Sequence, residues 1–148
     1  MSTLLTTQEL KEFVLNKYEG LKLYVQNEGI YCELDVEFSS EIPKDAEGMF
    51  AYTDDISYHY VFTEKGEITS HKISDDLFEI SYWIYDDQVF NISLKYAKNH
   101  RENNQDLRRI LFAKEMELLG LIGENYRNRC EITVEEILKI SPYNDGDE

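Results

Sequence analysis

The stretch DLFEISYWIYDDQVFNISLKYAK, residues 76–98, decides how the rest of the chain is arranged. Phe78, Ile80, Tyr82 and Ile84 alternate with Glu79, Ser81, Trp83 and Tyr85, and Phe90, Ile92, Leu94 and Tyr96 alternate with Asn91, Ser93 and Lys95. Such a period of two marks strands with one dry face. A loop at Asp86-Asp87-Gln88 then pairs Ile84 with Phe90, Tyr82 with Ile92, Ile80 with Leu94 and Phe78 with Tyr96, all apolar. A slip of one residue would mix apolar with polar partners, so a β-hairpin is expected. It puts Trp83 and Tyr85 on the more polar side, beside an acidic turn.

Upstream, SYHYVFTEKGEITSHKI (57–73) reads as another hairpin, with a three-residue loop Glu64-Lys65-Gly66 that sets His59 across from His71. CELDVEF (32–38) alternates apolar and acidic residues as a strand, and residues 39–48 read as a loop. Before these, Leu10, Phe13, Val14, Tyr18, Leu21 and Val25 recur at three and four, which predicts a helix over 7–26 that stops at residues 27–29. Downstream, residues 106–122 carry helical periodicity with Asn103 or Asn104 available as a cap, and Gly123 breaks it. Residues 124–140 read as one more helix, against a rival start at the Thr133-x-x-Glu136 capping-box pattern; Pro142 ends it before a polar tail, NDGDE. The expected fold is α+β: an N-terminal helix, an antiparallel meander of about five strands and two C-terminal helices packed on it, in a single domain spanning residues 1–148.

Charge is distributed unevenly. The net charge is −15, and between Glu28 and Asp87 sixteen acidic residues face only Lys44, Lys65 and Lys72. Such a field repels nucleic acid and anionic membranes and attracts basic partners. No segment reaches the roughly twenty apolar residues of a membrane span, the N-terminus has no leader pattern, and Cys32 and Cys130 share no ligand spacing; a soluble cytoplasmic chain with reduced thiols is expected.

Chemistry is sparsely signalled. Phosphate-cradling glycine loops, a GxSxG turn and an HExxH helix are missing from the sequence. His59 and His71 on neighbouring strands suggest a zinc pair with a carboxylate such as Glu67, but two ligands do not make a site, and solvent-facing histidines are the plainer reading. No cofactor and no metal is expected. The pairs Asp54-Asp55, Asp75-Asp76 and Asp86-Asp87 all fall where turns are expected, and aspartate favours turns for its local hydrogen bonds.

The segments YHYVFTEKGE (58–67), DDLFEISYWIYDDQVFNISLKY (75–96), HRENNQDLRRILFAKEMELLGLIGENY (100–126) and EEILKISPYND (135–145) together resemble the immunity protein 63 family of bacterial polymorphic toxin and contact-dependent growth inhibition systems. The most specific pieces are RRxLF followed by ELL, and the closing Pro142-Tyr143-x-Asp145. The resemblance implies a cytoplasmic antidote without chemistry of its own, which binds one cognate toxin domain and blocks its active site or its access to substrate. Many such toxins are nucleases with a basic groove that carboxylates could fill. On this reading Arg108, Arg109, Leu111, Phe112 and Pro142 hold the helix pair to the sheet, with the arginines on sheet carboxylates. Asp54, Asp55, Asp75, Asp76, Asp86 and Asp87 with Trp83 and Tyr85 form the toxin-binding set, unless a helix covers the two rings. The alternatives are a metal-dependent hydrolase using His59 and His71, or an acidic interaction protein or nucleic-acid mimic without a toxin. Monomer and homodimer remain equally open.

Overall fold

The computed structural model of the chain describes residues 3–30 and 32–146, so the last two residues of the polar tail lie outside it. Helix α1 (Thr7–Gln26) is followed by β1 (Val36–Phe38), β2 (Gly48–Thr53), β3 (Tyr58–Glu64) and β4 (Glu67–Ser74), then by α2 (Leu77–Asn99), α3 (Arg108–Ile122) and α4 (Glu124–Ile140). The class is α+β as expected, but a four-stranded mixed sheet and three later helices replace the five-stranded meander and two helices. The strand order is β1-β2-β3-β4, with β1 parallel to β2 and the other pairs antiparallel.

The main correction lies in the opening stretch, where the expected second hairpin is α2. Buried Ile80, Ser81, Ile84, Tyr85, Val89, Ile92, Ser93 and Ala97 recur at three and four. Ser81 and Ser93 sit inside that stripe, so counting serine as polar hides the helical period and leaves the alternation visible. The Ser81 hydroxyl is satisfied locally, donating to the Phe78 carbonyl at 2.9 Å. Asp76 caps the helix: its Oδ1 accepts the Phe78 N–H at 3.0 Å. Asp86 and Asp87 therefore stand in mid-helix and not in a turn. Nothing in Asp86-Asp87-Gln88 supplies the glycine that a tight hairpin favours.

The chain forms two compact units. One holds the residues up to Glu19 with Glu33–Tyr85, and is the sheet unit; the other holds Gly20–Cys32 and the residues from Asp86 on, and is the helical unit. In the sheet unit α1 begins with a capping box, Thr6 Oγ1 accepting the Glu9 N–H at 3.1 Å and Glu9 Oε1 accepting the Thr6 N–H at 2.9 Å. Buried Tyr58, Tyr60 and Ala51 share one sheet face, tied down by the Leu5 N–H, which donates to the Tyr58 hydroxyl at 2.8 Å. On the opposite face Phe50 and Val61 pack with Ala46, Ile42 and Tyr52. Ile42 and Ala46 belong to the connection between the two parallel strands, residues 39–47, which crosses that face as far as the β3–β4 turn, where Gly66 N–H donates to the Ala46 carbonyl at 2.9 Å. The turn is a two-residue one, Lys65 (φ 53°) and Gly66 (φ 81°), and not the expected three-residue loop. An irregularity between Phe62 and Thr63 then shifts the register. His59 consequently lies opposite Ile73, and His71 opposite Val61.

The helical unit has the last turns of α1, closed by a Schellman motif: Ile30 N–H donates to the Val25 carbonyl (3.1 Å) and Gly29 N–H to that of Gln26 (3.0 Å), with Gly29 at φ 76°. The strand expected from Cys32 is confined to β1, while Cys32 itself is buried with its thiol donating to the Lys22 carbonyl at 3.4 Å. α3 is capped by Asp106 rather than by Asn103 or Asn104, its Oδ1 accepting the Arg108 N–H at 3.0 Å. α4 runs unbroken through Thr133, whose hydroxyl bonds back to the Arg129 carbonyl, so the rival start is not used.

The arginines close the tail, correcting the expectation that they reach the sheet. Arg108 pairs with Asp106 and donates to the Ser141 and Pro142 carbonyls, each at 2.9 Å. Arg109 pairs with Asp145 at 2.7 Å and lies 4.1 Å from the Tyr143 ring centre. The Arg108 guanidinium, helped by backbone N–H donors, holds the Asp106 carboxyl well below the usual carboxylate range. Lys114, also buried, has its ammonium 4.2 Å from the Tyr96 ring centre and 3.0 Å from Glu117. Glu115 is buried too, with the Cys130 thiol 3.9 Å away; burial, with the Asp86 charge, raises its carboxyl to about 7.

Candidate functional site

Three strand ends meet at one rim of the sheet. Thr53, the last residue of β2, pairs with Tyr58 at the start of β3, and Tyr58 pairs with Ser74 at the end of β4. The connections leaving that rim, residues 54–57 and 75–76, bring Asp54, Asp55, Asp75 and Asp76 together at one end of the unit. Ile56, 76% exposed, stands among them. A shallow cleft of about 580 Å³ runs between Thr53-Asp54-Asp55 and the chain leading into α1, residues 3–7.

The four carboxylates have different work. Asp54 closes its own turn, Oδ1 accepting the N–H groups of Ile56 (2.9 Å) and Ser57 (2.8 Å), while Oδ2 takes the His59 Nε2–H at 2.6 Å. The Ile56 and Ser57 N–H donors, and then His59, lower its pKa, so it is ionised at neutral pH. Asp76 is the cap of α2. Asp55 and Asp75 are exposed and bond to no described residue.

A chain of imidazoles leads from Asp54 to the sheet edge. His59 is nearly buried and stacks on Tyr52 with ring centres 4.6 Å apart. Its Nδ1 lies 2.8 Å from Nε2 of exposed His71. Because a carboxylate only accepts, His59 donates from Nε2 and, when neutral, its Nδ1 accepts from His71. Both His59 nitrogens are thereby engaged, and the Nε2 of His71 carries its hydrogen. That leaves no pair of free lone pairs converging on an ion, and no group of three or more potential metal-ligating residues occurs among the described residues.

The remaining residues of the expected set are divided. Trp83 is half-buried on α2, with the Lys72 ammonium 5.5 Å from its ring centre. Tyr85 is fully buried, stacks with Tyr18 and donates its hydroxyl to the Val14 carbonyl at 2.9 Å, so it offers no surface to a partner. Asp86 and Asp87 belong to the helical unit, where they stand in mid-helix. Sequence reasoning missed Tyr52 because β2, with Phe50 buried on one face and Ala51 on the other, has no alternation to betray a strand.

The rim, the imidazole chain, the edge strand and α2 through α3 all fall within residues 54–136, the segment matched by the family model for immunity protein 63. The chain belongs to the immunity protein 63 family. No curated protein and no solved structure matches it. Helix α1, β1 and all of β2 precede the family segment, and the arginine-closed tail follows it. No described helix is long and apolar enough to cross a membrane.

Proposed function

We propose that this chain is a cytoplasmic immunity protein that binds one cognate toxin domain and neutralises it by covering its active site or blocking substrate access, without bond-making chemistry of its own. The observation that carries this reading is the rim: Asp54, Asp55, Asp75 and Asp76 converge at one end of a sheet within the family segment. Fixed carboxylates of this kind complement a basic surface, which is what a nuclease must present to its substrate. Ile56 supplies apolar contact within the acidic ring, and half-buried Trp83 is the aromatic anchor left once Tyr85 is assigned to the core.

Co-expression with the product of the adjacent upstream gene tests the reading. The expected result is that the partner is toxic alone, is tolerated with this protein, and co-purifies with it in a complex whose association slows as salt rises. A harmless neighbour, or a pair that fails to associate at low salt, would refute it.

A further inference from the structure

The sheet has two edges of very different character. β1 ends it with three residues, whereas β4 ends it with eight, Glu67 to Ser74. Seven of those eight residues are exposed, and none is proline. Natural edge strands are commonly shortened, interrupted by proline, or covered, because the unpaired N–H and C=O groups invite another strand. Here Glu67, Lys72 and the irregularity near the turn are the devices that protect β4. The register also places Ile68, His71 and Ile73 on the face shared with Val61, and the two isoleucines are 56% and 55% exposed.

We propose that β4 is the docking edge for an extended basic segment of the cognate toxin domain, which joins the sheet as a fifth strand. The inference rests on the immunity reading above and specifies how the partner is held. Charge selects the occupant. The edge is flanked by Asp55 and Asp75 at the rim and by Glu64 and Glu67 at the turn, against Lys65 and Lys72, so an incoming strand with lysine or arginine at its ends meets opposite charge at both. A second copy of this chain would bring net charge −15 against the same acids. Main-chain hydrogen bonds along β4 supply the affinity, and side chains packing over Ile68 and Ile73 supply the selectivity.

Hydrogen exchange of the full chain, alone and with the purified product of the adjacent toxin gene, tests this directly. Binding should slow exchange of β4 amides by about tenfold or more while α4 amides keep their free-state rates. Lys72→Pro and Ile73→Pro provide a second arm, because amides of adjacent strand residues point to opposite sides. The substitution at the outward-pointing amide should keep its melting temperature and lose association, and the other should melt early. A complex with unprotected β4 amides, or with both proline variants folded and fully binding, overturns this inference and leaves the immunity reading standing. Protection of β4 at high concentration without the toxin domain overturns it in favour of a second copy. Absence of any complex overturns both.

Discussion

The two units use charge in opposite ways. In the helical unit Arg108, Arg109 and Lys114 are each held by carboxylates, carbonyls or aromatic rings of the same unit, and the result is a closed tail and a filled interior. In the sheet unit Asp55 and Asp75 face solvent, while Asp54 and Asp76 shape the rim that presents them. Charge paired within the helical unit holds its chain together, whereas Asp55 and Asp75 leave charge at the rim for the partner proposed above. In the sheet unit a close backbone contact is made where the crossing connection meets the hairpin turn.

That contact is the place where the sheet unit should break most easily. A Cβ at Gly66 would lie 1.7 Å from the Lys44 carbonyl oxygen, at a φ of +81° that side chains rarely adopt. Gly66→Val should cost more than about 3 kcal/mol in denaturant unfolding, since steric overlap and backbone strain add. An unchanged midpoint would show that the connection does not pin the turn.

The helical unit carries the next largest effect. Glu115 titrates near 4.5 in an unfolded chain and near 7 in the folded one, because burial and Asp86 disfavour its charge. Between those values the folded state binds the extra proton, so stability falls as pH rises from 4.5 to 7 and levels above. At about 1.4 kcal/mol per pH unit the loss from this group is at most about 3.5 kcal/mol. Glu115→Gln should flatten that slope in melts taken at successive pH values.

Smaller still is the tail. Arg108→Ala removes the guanidinium from Asp106 and from the Ser141 and Pro142 carbonyls, and should lower the melting temperature by a few degrees while exposing the segment after α4 to protease. The smallest effect on the fold is expected at the rim, where Asp55→Lys with Asp75→Lys should leave the melting temperature unchanged and slow association with the toxin domain by about tenfold at low salt. Loss of stability in that double variant would erase the contrast between the units.

Much of this was legible in the residues. α1 follows its apolar stripe from Leu10 to Val25, α3 ends at Gly123, α4 keeps its four-and-three spacing, and the first hairpin falls where its glycine says it should. The rim aspartates at 54, 55, 75 and 76 were visible as turn residues. The two serines of α2 and the two-sided burial of β2 were the points of failure, since both depend on what lies against an element and not on its own pattern.

Local sequence by itself determined the helices with a single apolar stripe, the turn at Gly66, the family resemblance and the acidic bias of the middle of the chain. Tertiary structure alone decided that residues 77–99 coil instead of pairing, that β1 joins β2 in parallel, that Tyr85 is core, and that four separate aspartates share one rim while Asp86 and Asp87 stand in mid-helix. The physical reason is that periodicity reports only one face of one element. Burial on a second face, and the meeting of strand ends, arise only when elements that are far apart in sequence pack together.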